Sequence, residues 1–141
     1  MSETEDTRAI VQDMYDAYVR GDLDRIAARF DEDIDWVIHA PRAIFPFAGR
    51  RRGRAAALQS LGQLAVDYEI DQYRPQSTIV DGDRAAVVSD VVFLQRGSQR
   101  RLNFRIVDLI TLRDGRVVDF EEFIDTFDVV EQALGQHIVI V

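Results

Sequence analysis

The chain contains no cysteine and no lysine. The first absence excludes disulfides, thiolate nucleophiles and thiolate metal sites. The second means that all 17 basic side chains are arginines, planar and permanently charged forks. Histidine is scarce too: His39 and His137 are the only ones, and no His-x-x-x-His pair exists, so a metal site would have to be built from carboxylates. No apolar run approaches the length that spans a bilayer, and the acidic start "MSETEDTRAI" is unlike the basic start of a signal peptide. A cytoplasmic protein without membrane contact is the default expectation. Net charge is -8, with a pI near 4.7, so the chain as a whole repels polyanions and nucleic acid is not expected as a partner.

What remains is an ordinary globular composition, 47% hydrophobic over 141 residues, with no repeat, linker or low-complexity stretch. One domain spanning 1–141 is expected. Ser2 and Glu5 form a capping-box signature. Behind it, Ile10, Val11, Met14, Ala17 and Tyr18 make the stripe of a first helix that stops at Gly21. Asp22 caps a second, short helix with Leu23, Ile26, Ala27 and Phe30 on one side, and Ile34, Trp36 and Ile38 then alternate as a strand. Residues 54–65 read as a third helix. From Tyr68 onward, long strands are separated by turns at 81–83, 96–99 and 113–115. The pattern predicts an α+β domain, three N-terminal helices packed on one face of a curved antiparallel sheet.

The chemistry is concentrated in the last two strands. Leu102, Phe104, Ile106, Asp108, Ile110 and Leu112 share one row, and Val118, Phe120, Glu122 and Ile124 share another. Each apolar row thus carries one acid, and an unpaired carboxylate in an apolar setting either shifts its pKa or finds a partner. A three-residue loop, Arg113 to Gly115, would set Ile106 against Glu122 and Asp108 against Phe120, making the acids diagonal neighbours. Acids that close favour one being protonated at neutral pH. Arg105 falls on the opposite face by alternation. On that face Val88, Val92, Leu94, Val107 and Leu109 are also apolar. Strands apolar on both faces are covered on both faces, and a second copy of the chain in a homodimer is the simplest cover.

"YVRGDLDRIAARFDEDIDW", "PFAGRRRGRAA" and "LRDGRVVDFEEFIDTFD" together resemble the NTF2-like superfamily, and within it the ketosteroid isomerase and SnoaL-like polyketide cyclase branch. The resemblance spans roughly 6–132. It implies a cone of curved antiparallel sheet, wrapped by helices around one pocket and usually dimeric. Asp108 matches the position of the protonated aspartic acid that donates to an oxyanion in ketosteroid isomerases. Their oxyanion tyrosine, however, falls at Met14, and their general-base aspartate falls at Ile38 to Ala40, where no carboxylate stands. The Asp-Arg-Asp set of limonene-epoxide-hydrolase relatives matches only at Glu122, its other members falling near Val91 and Phe93. SnoaL-like cyclases use an acid from the last strands, a role open to Asp108 or Glu122.

The expected site is therefore Asp108 and Glu122 as catalytic groups, with Trp36, His39, Phe47, Tyr18, Ser89 and Phe104 as ligand-binding candidates. His39 belongs to the opposite row of its strand unless a bulge rotates it. Ser89 lies on a pocket-facing row with Val87 and Val91 but has no base beside it. The run "RRRGR" at 50–54 follows a flap carrying Phe45 and Phe47 and reads as a solvated rim pairing with surplus acids. No motif calls for a cofactor. The expected activity is acid/base cyclisation, isomerisation or dehydration of a small apolar carbonyl compound. The alternative is a non-catalytic module that binds a small hydrophobic molecule or mainly dimerises.

Overall fold

In the computed structural model, which describes residues 2–141, α1 (Glu3–Arg20) opens on the capping box. The Ser2 hydroxyl accepts from the Glu5 amide at 3.1 Å, and the Glu5 carboxylate accepts from the Ser2 amide at 3.1 Å. Gly21 ends the helix at φ 71°, a left-handed turn that glycine adopts without a Cβ clash. Asp22 caps α2 (Leu23–Arg29), which runs directly into β1 (Phe30–His39). Phe30 therefore starts the strand rather than closing the helix, although it stays in the core at 1% exposure. The remaining elements are β2 (Gly49–Arg52), α3 (Arg54–Asp67), β3 (Tyr68–Asp81), β4 (Arg84–Gln95), β5 (Arg101–Arg113), β6 (Arg116–Ile124) and α4 (Thr126–Leu134).

The architecture is the expected α+β arrangement, with helices on a six-stranded sheet of order β2-β1-β6-β5-β4-β3. Two features go beyond the sequence reading. The sheet is mixed, because β1 pairs parallel to β6 while its other ladders are antiparallel. A fourth helix, α4, follows β6; Asp125 caps it, and Val129 and Ala133 are buried. The sheet is open at two edges, β2 and β3, and most buried apolar side chains form one continuous core. The parallel ladder sets Trp36 beside Phe120, and their rings stack at 4.1 Å.

The β5–β6 hairpin departs from the expected register. Its turn is the two residues Asp114 and Gly115, at φ 53° and 75°, the double left-handed turn that matches strand twist. A shift between Thr111 and Leu112 then leaves Val118 without an opposite residue. Val117, not Val118, enters the core at 0% exposure, and beyond the bulge Asp108 stands opposite Glu122. The acids are direct cross-strand partners, not diagonal ones.

Candidate functional site

The inner face of the sheet and the helices above it enclose a cavity of about 80 Å³, counted as space open to the centre of a water molecule. That is room for on the order of six water-sized groups. Trp36, Phe47, Tyr18 and Phe104 line it, as do Asp108 and Glu122. Phe45 also lines it, from the β1–β2 connection. That connection is pinned by a buried relay: the Trp36 indole donates to the Ser60 hydroxyl at 3.2 Å, which donates to the Phe47 carbonyl at 2.8 Å.

Asp108 is fully buried. One of its oxygens, Oδ2, accepts a short hydrogen bond from the Tyr15 hydroxyl. The other, Oδ1, has no N–H or hydroxyl donor. The Glu122 carboxyl, partly exposed, lies within hydrogen-bonding reach of the Asp108 side chain. Burial pushes Asp108 up to about 6, against the stabilising hydrogen bonds from Glu122 and Tyr15. Burial raises Glu122 well above the usual carboxylate range, and the Asp108 charge and hydrogen bond raise it further. Burial, then the Asp108 charge, lifts the Tyr15 phenol as well, so it stays a protonated donor. Both carboxyls are thus raised, and two acids this close favour one being protonated at neutral pH.

Two of the ligand-binding candidates lie elsewhere. His39 sits on the outer face, where its Nε2 is 2.7 Å from the Glu121 carboxylate and its ring stacks on Phe123 at 4.6 Å. No bulge rotates it inward, so the opposite-row reading holds and a place at the cavity does not. Ser89 is buried at 0% exposure and its hydroxyl has no partner, but it is not one of the residues lining the cavity. Arg105 lies on the outer face as expected, bonded to Asp90 at 3.0 Å. The arginine run behaves as a rim: Arg50 pairs with Asp35 at 2.6 Å, Arg51 donates to Gln63 at 2.7 Å, and Arg54 donates to the Phe30 carbonyl at 3.0 Å.

Tyr15 and Tyr73 were not legible as site residues. Tyr15 follows Val11 and Thr7 at four-residue spacing, a signal masked by the stripe through Met14 and Tyr18. Tyr73 turns inward only because a register shift between Ile70 and Gln72 inverts the alternation of β3. Its ring then meets Tyr15 at 5.9 Å and Tyr18 edge-on at 5.4 Å. Among the described residues no cluster of histidine and acidic side chains is placed to hold a metal ion, and no helix is long and apolar enough to cross a membrane.

This α+β fold has solved counterparts. An isomerase, provisionally so described, from Rhodopseudomonas palustris is 32% identical, covers 89% of this chain and 93% of its own, and superposes with a TM-score of 0.81. An NTF2-like protein from Burkholderia xenovorans is 30% identical over 92% of this chain and 97% of its own, also at 0.81. An epoxide hydrolase of the limonene-epoxide-hydrolase type from Mycobacterium tuberculosis shares the fold at 17% identity and a TM-score of 0.76, covering 90% or more of both chains. No curated protein matches the sequence. Residues 11–120 match the SnoaL-like domain, and the chain belongs to that family.

Proposed function

We propose that this SnoaL-like protein is an acid/base enzyme that moves a proton on a small, largely apolar carbonyl compound, in an isomerisation, cyclisation or dehydration. The observation that carries the reading is the direct pairing of Asp108 with Glu122 in an apolar cavity, with Tyr15 bonded to one side of Asp108. Outside functional sites a fully buried acid beside a second, half-buried acid with no arginine partner is costly and rare.

The Tyr15 hydrogen bond assigns the roles. Because Asp108 accepts from Tyr15, it holds the charge, and Glu122 holds the proton. The neutral Glu122 carboxyl delivers its proton to the carbonyl oxygen, while Asp108 Oδ1 takes a proton from the adjacent carbon. Ketone becomes enol, and the pair again holds one proton. In a ketone with a neighbouring double bond, Asp108 returns that proton to the far end of the dienol while the enol hydroxyl gives its proton back to Glu122, completing an isomerisation with the pair restored. The charge of the site stays constant, which suits a dry cavity where creating a second charge would be expensive.

The test is deuterium exchange. A panel of monocyclic and bicyclic ketones is incubated with the protein in deuterated water, and loss of the proton signals next to the carbonyl is followed by NMR. Exchange is expected for at least one member, slowed a hundredfold or more by Glu122→Gln or Asp108→Asn in a folded variant. Equal exchange by both variants and the parent would end the catalytic reading. A panel with no exchange would favour a non-catalytic binding module, a reading supported by the empty base position at Ile38 to Ala40.

A further inference from the structure

The charge in the cavity is one-sided. Its walls come from every helix and from every strand except β2, yet its ionisable groups are Asp108, Glu122 and the phenols of Tyr15, Tyr18, Tyr68 and Tyr73. No arginine or histidine lines it, although the chain carries 17 arginines. The buried Asp108 oxygen Oδ1 lacks an N–H or hydroxyl donor and belongs to a residue of the cavity lining. Around it the surface is aromatic, with Trp36, Tyr18, Tyr73 and Phe104 among the lining rings.

We propose that this cavity binds a small lipophilic monocation, a protonated amine whose apolar body is about the size of a cyclohexane ring. The proposal rests on the cavity being the ligand site and not on any turnover there.

Three physical features converge on that chemistry. Two carboxyls with one phenol donor and no cationic side chain between them leave Asp108 Oδ1 unpartnered, and an ammonium group supplies both a counter-charge and N–H donors for it. The aromatic faces attract a cation through their quadrupoles, most strongly once water has been displaced. An anion of the same shape would meet the carboxylate with nothing to offset the repulsion, and a neutral alcohol would gain a hydrogen bond but no charge pairing. The cavity, about 80 Å³ counted as space open to the centre of a water molecule, suits a small apolar body such as one ring.

An isosteric series separates these cases: cyclohexylmethylamine, cyclohexylmethanol and cyclohexanecarboxylate. Trp36 is the only tryptophan and lines the cavity, so its emission reports occupancy directly. At pH 8 the amine is expected to bind at least tenfold more tightly than the alcohol, and the carboxylate not at all. In Glu122→Gln combined with Asp108→Asn, the amine and the alcohol are expected to become equal. Should that variant fail to fold, the pH dependence of the parent decides. The amine stays protonated throughout, and its advantage is expected to shrink as the carboxyl pair gains its second proton towards pH 5. Equal binding of amine and alcohol at pH 8, an amine advantage indifferent to pH or to both substitutions, or no binding by any of the three overturns the proposal. Amine selectivity without ketone exchange would retire the catalytic reading and keep this one; exchange without amine selectivity would do the reverse.

Discussion

Asp108 on β5 and Glu122 on β6 face one another directly across the antiparallel ladder, on the inner side of the sheet. The site is thus a pair, and the two carboxyls titrate as one unit. Tyr15 reaches this pair from α1, so the site draws on a helix and two strands.

The pair should make stability fall as pH rises. Both carboxyls have folded-state pKa values above those of a free aspartate and glutamate, so between about pH 4 and the folded values the native state binds more protons than the unfolded chain. The contribution is fully favourable below that window and is lost as pH climbs through about 6 and beyond. Thermal melts at pH 6 and pH 8 should show the higher Tm at pH 6. Asp13, held below its usual range by its hydrogen bond to Arg25, works in the opposite sense only at more acid pH. Glu122→Gln should raise stability at pH 8 by about 1–2 kcal/mol, roughly 3–8 °C in Tm, and flatten the pH 6 to pH 8 difference. A variant as pH-sensitive as the parent would mean that other groups set the slope.

Tyr15→Phe removes one phenol oxygen and leaves Asp108 Oδ2 without its donor. The lost bond stabilised the charged form, so the carboxyl pair should take up its second proton at a higher pH than in the parent, followed by carbon-13 NMR. A stability loss of about 1–3 kcal/mol at pH 8 should accompany it, since a buried acceptor is left unsatisfied. An unmoved titration would show that Tyr15 is only a packing neighbour.

Ser60→Ala cuts the relay between Trp36 and the Phe47 carbonyl. Two buried polar groups lose their partner, and denaturant unfolding should show a cost of about 1–3 kcal/mol. The β1–β2 connection bearing Phe45 and Phe47 should also loosen, seen as faster amide exchange over 44–48 than in the parent.

The outer face of the sheet carries Leu109, Phe123 and the neighbouring Phe127 at 38%, 41% and 48% exposure. We propose that a second copy of the chain covers this patch. Phe123→Asp should convert a dimer to a monomer in light scattering after size-exclusion chromatography, with the far-UV spectrum unchanged. A parent that already runs as a monomer would remove the proposal.

Much of this molecule follows from local rules. The caps at Ser2, Asp22 and Gly21, the apolar stripes and the position of Asp108 in an apolar row are short-range properties, fixed by three- and four-residue helical spacing and two-residue strand spacing. The resemblance of three segments to SnoaL-like proteins carried the fold. Tertiary structure decided what depends on one residue more or less in a strand. The unpaired Val118 moved the two acids from diagonal to opposite, and the shift in β3 turned Tyr73 inward. A bulge inverts every side chain beyond it, and the sequence holds no local mark of where a strand will make one. The contact of Tyr15 with Asp108 spans 93 residues and depends on how α1 lies across the sheet. That packing, not any motif, is what gives Asp108 its phenol donor.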